Sequence, residues 1–279
     1  MRRLPRRGGL HSPRLFDYSQ NAYALWSVAR RLNPLSNGPL IRVRRSSDNA
    51  EQNIPQTPDW RLDTANLLSF VGTGPTDNGF IVTVIGQIVS SANLEQPTMA
   101  LQPAIVSGGV VVRNAEGEPA CSFGGTHSLQ STAFVAGTLA QPNTLWLVWQ
   151  HDTWVISRGI LDGRDATNRQ LIWTQGVSPR IDQYAGASAN ANTDMAIASS
   201  SIISAGFDGA SSFLRVDNNA KVTGGNPGTN GLAGVTIGAN YLHGAGAIGK
   251  FSECHVIDTI DATDEEDRLE GTNGFYGVF

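Results

Sequence analysis

The chain has 279 residues and a formal net charge of -4, with 31 glycines and only 16% charged residues. This length suits one large domain or two small ones, and the glycine, β-branched and small polar residues of its middle favour an all-β protein with tight turns. No run approaches the roughly 20 apolar residues that span a membrane. The basic start leads into Pro, Gly and Ser, so we expect neither a transmembrane helix nor a secretory signal.

Residues 1–18 are interpreted as a basic arm, and residues 19–279 as a single domain. The first 14 residues hold five arginines and no acidic residue. On a chain of net negative charge, such an arm more often docks on an acidic protein neighbour than on nucleic acid. We therefore predict an anchoring arm that uses Arg2, Arg3, Arg6, Arg7 and Arg14.

The next segment predicts a helix from about Gln20 to Leu32. Ser19 can cap its start, and apolar residues recur at helical spacing along one side. The dipeptide Asn33-Pro34 would end it, because proline cannot continue a helix.

A strand with clustered arginines follows within residues 38–54. Ile41 and Val43 alternate with arginines, as in a half-buried strand. Buried arginines are usually paired with carboxylates, so we predict a structural network that pins this strand to the preceding helix. A phosphate or sugar clamp is the alternative. The network consists of Arg42, Arg44, Arg45, Asp48 and Glu51.

The rest of the chain predicts mainly strands, with a short helix over residues 59–71 and another near the end. Asp162-Gly163 and Asp208-Gly209 are typical of hairpin turns. Residues 263–266 are typical of a capping box, and Gly271 and Gly274 should keep the last helix short. The predicted strands cover residues 80–89, 110–112, 120–123, 143–150, 154–161, 170–175, 180–184, 199–207, 211–216, 221–222, 235–238 and 249–257.

The glycine-proline turn followed by IRVRRSSDN, residues 41–49, resembles the start of a concanavalin A-like, laminin-G-like jelly-roll domain found in bacteriophage virion proteins. The chain is more distantly similar to the catalytic domain of fungal α-L-arabinofuranosidases. Residues 103–123, 207–238 and 264–271 agree with the family pattern in order, so the resemblance covers about residues 19–274. It implies a single laminin-G-like β-sandwich domain with a short N-terminal helix, an extended arm and a short C-terminal helix.

The sequence departs from the family in residues 85–93, which lack the usual aromatic and acidic residues. The resemblance implies a non-enzymatic structural protein of a tailed bacteriophage particle: a capsid decoration protein, head fibre or tail appendage. We then expect a virion location, other virion proteins as partners of the arm, and a homo-oligomer, a trimer by analogy. Two alternatives stay open, a carbohydrate-binding module for host surface glycans and an arabinofuranosidase-like glycoside hydrolase.

Candidate catalytic residues are few. A retaining glycosidase needs two carboxylates about 5 Å apart, and turn chemistry explains the aspartates that precede glycine. We therefore assign no catalytic residue. The carboxylates considered are Asp152, Asp162, Asp165 and Asp208.

Candidate binding residues are also few. The five histidines show no metal-ligand spacing, so we expect neither a metal nor a cofactor. Among the aromatic residues near predicted loops, Trp154 and Tyr184 are the candidates for glycan contact. Cys121 and Cys254 are expected to be buried free thiols, with a disulfide as the alternative.

Overall fold

The structure is a computed structural model that describes residues 17–176 and 179–279. These residues form mainly strands with two α-helices, so the protein is all-β. The helices are α1 (Thr64–Val71) and α2 (Ala262–Tyr276), and short 3-10 turns cover Met99–Leu101 and Gly209–Ser211. The strands are β1 (Ala22–Ser27), β2 (Ile41–Arg45), β3 (Glu51–Ile54), β4 (Gly79–Val84), β5 (Leu94–Glu95), β6 (Ala104–Ser107), β7 (Val110–Val111), β8 (Cys121–Gly124), β9 (Leu129–Ser131), β10 (Asn143–Thr153), β11 (Gly159–Gly163), β12 (Leu171–Thr174), β13 (Ile181–Tyr184), β14 (Ser188–Asn192), β15 (Ser200–Phe207), β16 (Phe213–Val216), β17 (Val222–Thr223), β18 (Val235–Ile237) and β19 (Ile248–Ile257).

The strands form two antiparallel runs. In the first run, β10 lies along the whole of β19, and the run continues through β15, β16 and β17. The other edge of β19 pairs with β1 and then β8, from which the run continues through β6, β4, β2 and β3. The second run has the order β5, β9, β18, β11, β12, β13, β14, and the β4–β5 pairing joins the two runs.

Side chains from both runs form one large core. Leu147 and Trp149 of β10 share this core with Ile172 of β12 and Ile237 of β18. The opposite face of β10 is also covered, because Trp146 packs in a second cluster that includes residues of α2. A strand buried on both faces has no polar side to alternate with, which explains the continuous apolar run in β10.

The N-terminal segment corrects the sequence prediction of a helix over residues 20–32. Residues 22–27 form β1 instead, with Leu25 opposite His255 and Trp26 opposite Cys254 of β19. Both Leu25 and Trp26 are fully buried, in separate apolar clusters on the two faces of the strand. A helix with one apolar stripe would have exposed one of these side chains, so burial of both faces favours the strand.

The two helices follow local capping rules. The Asp63 side chain accepts a hydrogen bond from Asn66 N and begins α1, within the predicted segment 59–71. Asp261, rather than Thr263, caps α2 by accepting from the backbone N–H groups of Thr263 and Asp264. α2 has 15 residues and ends at Gly277, which has a left-handed conformation. The last helix is therefore longer than Gly271 and Gly274 suggested, because one face packs against β10 and β15.

Two further predictions concern the chain's surroundings. The anchoring-arm arginines, residues 2 to 14, lie outside the described residues. Neither α1 nor α2, the helices of the described ranges, combines the length and apolar character that a membrane crossing requires.

Candidate functional site

A pocket of about 240 Å³ lies on the face of the second run that points away from the core. Its floor follows from the strand register, because residues directly opposite each other in a sheet lie on one face. Gly159 of β11 lies opposite Trp173 of β12, and Leu171 lies opposite Tyr184 of β13. We call this the Arg169 pocket; its lining is Ser157, Gly159, Arg169, Leu171, Trp173, Tyr184, Asn240 and Ala245.

Gly159 allows the loop after β18 to come close to β11. A Cβ atom at this position would lie 2.8 Å from the backbone carbon and oxygen of Ala239, so a side chain would push the loop away. The loop is shaped by Asn240, whose Oδ1 accepts hydrogen bonds from Leu242 N and Gly244 N at 3.1 and 2.9 Å. Asn240 is thereby held at the rim of the pocket.

Arg169 is the charged residue of the pocket lining, and a buried ion pair holds it in place. Its Nε lies 2.9 Å from Asp162 Oδ1, and its Nη2 lies 3.0 Å from Oδ2. The guanidinium carbon also lies 5.3 and 5.1 Å from the ring centres of Tyr184 and Tyr241. Arg169 is therefore fixed by a carboxylate and by two aromatic rings.

Asp162 lies inside β11, so the predicted Asp162-Gly163 turn is wrong. Its side chain is 0% exposed, whereas that of Arg169 is 24% exposed. Asp162 also accepts hydrogen bonds from Gly163 N at 2.8 Å and Tyr241 N at 3.1 Å. Burial raises the pKa of the Asp162 carboxyl, and Arg169 together with these N–H groups opposes the shift.

A second group of carboxylates lies outside the pocket lining, around Asp217 at the end of β16. Its Oδ1 accepts a hydrogen bond from Ile202 N at 2.7 Å. Burial, and then the nearby carboxylates of Glu116 and Asp194, raise the pKa of Asp217 to about 6. A carboxyl with this pKa can donate or accept a proton near neutral pH.

The predicted arginine network does not contact the pocket lining. Arg42 pairs with Glu51 at 2.7 Å, and Arg45 pairs with Asp48 at 2.6 Å. Arg44 instead donates to two amide oxygens, Gln102 Oε1 at 2.8 Å and Asn49 Oδ1 at 2.7 Å. Between Asp17 and β2 the chain forms no helix, so the predicted link to a preceding helix is wrong. The two ion pairs lie within the β2–β3 hairpin, and Arg45 connects the hairpin to α1 because its Nη1 donates to the Phe70 carbonyl.

The two predicted glycan contacts are separated in the structure. Tyr184 lines the Arg169 pocket. Trp154 does not; its Nε1 donates to the Gly176 carbonyl at 3.3 Å, and its ring lies 5.0 Å from that of His151. Sequence reasoning did not select Trp173 or Arg169 as contacts. The sequence pattern that could have identified Trp173 is the predicted strand at residues 170–175, because residues 171 and 173 of a strand lie on the same face.

The remaining carboxylates considered for catalysis lie apart. Asp152 pairs with Lys250 Nζ at 2.8 Å, and Asp165 accepts from Asn168 N at 2.7 Å within a turn. Asp208 is exposed before the turn Gly209–Ser211. Each is accounted for by local structure rather than by a shared cleft.

The described part of the chain holds no group of His, Cys, Asp and Glu side chains arranged to bind a metal ion. Cys121 and Cys254 are buried and not bonded to each other. Burial raises the pKa of both thiols well above their usual range, which disfavours the reactive thiolate.

No protein-family model and no curated protein matches this chain. Among solved structures, it is similar to an arabinofuranosidase complexed with arabinofuranosyl-alpha-1,2-xylobiose, with a TM-score of 0.72 and 14% identity. A mutant GH54 α-L-arabinofuranosidase soaked with 4-nitrophenyl α-L-arabinofuranoside gives a TM-score of 0.71 at 14% identity. Both comparisons cover 92% of this chain and 63% of the other, so this chain spans less than two thirds of those enzymes.

These comparisons overturn the expectation of a non-enzymatic structural protein of a bacteriophage particle. A third structure, of a GH54 α-L-arabinofuranosidase soaked with a cyclic sulfate inhibitor, matches with a TM-score of 0.69 and 14% identity. The comparison again covers 92% of this chain and 63% of the other. The matched structures are enzymes that act on arabinofuranosides, and none of the three is a phage domain. The chain therefore has an all-β fold similar to that of arabinofuranosidases over nearly its whole length.

Proposed function

We propose that this chain is a glycoside hydrolase that takes a sugar residue of an arabinose-containing glycan into the Arg169 pocket. The observation that carries the proposal is the pocket itself, with two aromatic rings and a fixed guanidinium on a fold similar to that of arabinofuranosidases. Concave sites with aromatic walls and a few placed polar groups are the usual form of small-ligand sites.

The lining matches the two kinds of surface that a sugar presents. The rings of Trp173 and Tyr184 offer flat apolar surfaces to the C–H face of a sugar. Arg169, Asn240 and Ser157 offer polar groups to its hydroxyls. At about 240 Å³ the pocket is smaller than the roughly 300 Å³ at which drug-sized sites begin, so it suits one sugar ring.

Hydrolysis also needs carboxyl groups that transfer a proton and stabilise the sugar cation. Asp162 is fully buried and holds Arg169, so its role is to position the arginine. Burial and the nearby carboxylates of Glu116 and Asp194 raise the pKa of Asp217 to about 6, but Asp217 lies outside the pocket lining and does not contact a sugar bound there. The pocket therefore accounts for binding of the sugar, and hydrolysis is tested directly with a cleavable arabinofuranoside.

The jelly-roll arrangement is part of the same proposal. The two runs of strands contribute side chains to one core, with Leu147 from the first and Ile172 from the second. The runs are joined through the β4–β5 pairing. This arrangement supports a concanavalin A-like sandwich whose second run carries the sugar pocket on its outer face.

The first test measures binding and hydrolysis with the whole chain. We expect methyl α-L-arabinofuranoside to bind and 4-nitrophenyl α-L-arabinofuranoside to release 4-nitrophenol. Trp173→Ala should raise the Kd at least tenfold, because losing contact with an aromatic side chain costs about 1.5 kcal/mol or more. Trp154→Ala, a tryptophan outside the pocket, is the matched control and should leave Kd unchanged.

Asp217→Asn is a second control, because Asp217 lies outside the pocket lining. It should leave both the Kd for methyl α-L-arabinofuranoside and the release of 4-nitrophenol unchanged. If the chain neither binds nor cleaves these furanosides, the proposed function is wrong. If it binds them and Trp154→Ala weakens binding more than Trp173→Ala, the sugar site has been placed wrongly.

A further inference from the structure

We propose that the glycan bound at the Arg169 pocket is acidic, and that Arg180 binds the carboxylate of the sugar residue next to the one in the pocket. This inference rests on the proposed function and adds the substrate class. Arg180 precedes β13 and lies on the same outer face of the second run as the pocket, although it is not part of the pocket lining.

The register of β12 and β13 places the head of Arg180 beside Trp173. Trp173 lies directly opposite Asp182, so the two side chains share the outer face of the sheet, with their Cα atoms about 5 Å apart. Arg180 Nε and Nη2 each lie 2.8 Å from a carboxylate oxygen of Asp182. The guanidinium therefore lies close to the pocket wall that Trp173 forms, where it can reach the next residue of a bound glycan.

The outer edge of the Arg180 guanidinium is free to bind a ligand. Its hydrogen bonds within the described residues go to Asp182 and use Nε and Nη2. Nη1 and the remaining N–H of Nη2 form a second pair of parallel donors, because a guanidinium holds its N–H groups in one plane. Two parallel donors match the two oxygens of a carboxylate, so this edge favours an acidic group over a single hydroxyl.

Asp182 holds the guanidinium in position from below. Its side chain is 5% exposed, whereas that of Arg180 is 42% exposed. Asp182 Oδ2 also accepts a hydrogen bond from Ser188 Oγ at 3.0 Å. A ligand that approaches from solvent therefore meets the guanidinium before its buried counter-charge. An arginine already fixed in one geometry also loses less side-chain entropy when it binds.

Arg169 has the same construction inside the pocket. It donates to the buried Asp162 through Nε and Nη2, and its hydrogen bonds within the described residues do not use Nη1. The outer face thus presents two guanidiniums whose carboxylate partners are buried. A ligand carboxylate in contact with either guanidinium is nearer to that cation than to the carboxylate behind it, so attraction outweighs repulsion. This arrangement favours a glycan that carries carboxylates.

The test compares two probes that differ only in charge. The first is a disaccharide of α-L-arabinofuranose and D-glucuronate, joined through sulfur so that it is not hydrolysed, and the second is the methyl ester of the same molecule. Binding to the whole chain is followed by NMR titration at low salt. We expect the wild type to bind the acid at least tenfold more tightly than the ester.

Arg180→Gln should bring the two Kd values to within a factor of two and leave the Kd for methyl α-L-arabinofuranoside unchanged. Arg180→Lys keeps a cation beside Asp182 but has no parallel donors, so it should also lose most of the preference, and it replaces Arg180→Gln if that variant does not fold. The matched control is Arg45→Gln, which should keep the full preference, because Arg45 forms a two-pronged pair with Asp48 but lies in β2.

Salt dependence is a second measurement that needs no variant. The Kd of the acid should rise between about 20 and 200 mM salt while that of the ester stays constant, because salt screens the charge–charge contact. Equal Kd values for acid and ester in the wild type, or a full preference for the acid in folded Arg180→Gln, overturn the inference, while binding of methyl α-L-arabinofuranoside still supports the proposed function. Binding of none of the three probes overturns the proposed function itself.

Discussion

Arg30 and Glu253 form a two-pronged ion pair inside the protein, with Arg30 Nε 2.8 Å from Oε2 and Nη2 2.9 Å from Oε1. Arg30 follows β1, and Glu253 lies in the middle of β19. The Tyr276 hydroxyl of α2 donates to Glu253 Oε2 at 3.1 Å, and the Phe275 ring lies 4.4 Å from the Arg30 guanidinium. The pair thus joins the first strand, the central strand and the last helix.

Removing one partner of this pair should be strongly destabilising. Glu253→Gln leaves the Arg30 guanidinium buried without a carboxylate, which costs about 3–5 kcal/mol. Urea unfolding measures the loss. The control is Asp48→Asn, which breaks the exposed Arg45–Asp48 pair and should change the free energy of unfolding little. Equal effects of the two variants would contradict this prediction.

His255 should make the protein sensitive to mild acid. Burial lowers the pKa of this histidine from 6.5 to about 4, so the folded state holds it neutral while the unfolded chain protonates it. Stability is therefore full above pH 6.5 and declines as the pH falls toward 4, by about 3 kcal/mol for this group.

His255→Gln should remove the loss of stability in mild acid that protonation of His255 causes. We expect the difference in unfolding free energy between pH 7 and pH 4 to be smaller in the variant, measured by urea unfolding at both values. Some loss should remain, because burial also lowers the pKa of His151 to about 4. A pH dependence identical to that of the wild type would show that His255 is not the group responsible.

The pH dependence of stability that Asp217 contributes should be opposite in direction to that of His255. Its pKa in the folded protein, about 6, lies above the unfolded value of 3.8 because of burial and the Glu116 carboxylate. The stability it contributes is present below pH 3.8 and is lost as the pH rises through 6. Because the carboxyl is only partly buried and solvent screens it, we expect the resulting loss of unfolding free energy at pH 8 to be about 1 kcal/mol.

Asp217→Asn should thus raise the free energy of unfolding by about 1 kcal/mol at pH 8 and leave it unchanged at pH 3.5. Asn can still accept the hydrogen bond from Ile202 N. Asp208→Asn, at an exposed aspartate in the β15–β16 connection, is the control and should leave the free energy of unfolding unchanged at both pH values. A destabilised Asp217→Asn protein at pH 8 would refute the assigned direction.

Two glycine substitutions should act in opposite directions. Gly274 lies in α2, and a Cβ atom there meets nothing within 4 Å, so Gly274→Ala should stabilise the helix by about 0.5–1 kcal/mol. A Cβ at Gly249 in β19 would lie 2.2 Å from the Gln150 backbone oxygen, so Gly249→Ala should destabilise. Thermal unfolding of both variants tests this, and a rise in Tm for Gly249→Ala would contradict it.

The sequence by itself determined the all-β class, most strands and the presence of α1 within residues 59–71. These features depend on residues a few positions apart: β-branched runs favour strands, and Asp63 caps the helix through Asn66 N. The apolar run at residues 143–150 likewise predicted a strand, and the two clusters show that β10 is covered on both faces. Local preference and tertiary burial agree at these positions.

Only the tertiary structure decided β1 and the pocket. Residues 22–27 carry a helical apolar pattern, but their partner, β19, lies more than 200 residues away, and its pairing gain outweighs the local preference. Arg169, Tyr184 and Asn240 likewise meet only through strand register and the close approach at Gly159. Burial of Asp162, which holds Arg169 in place, depends on all of these contacts together, and so no short window of sequence contains it.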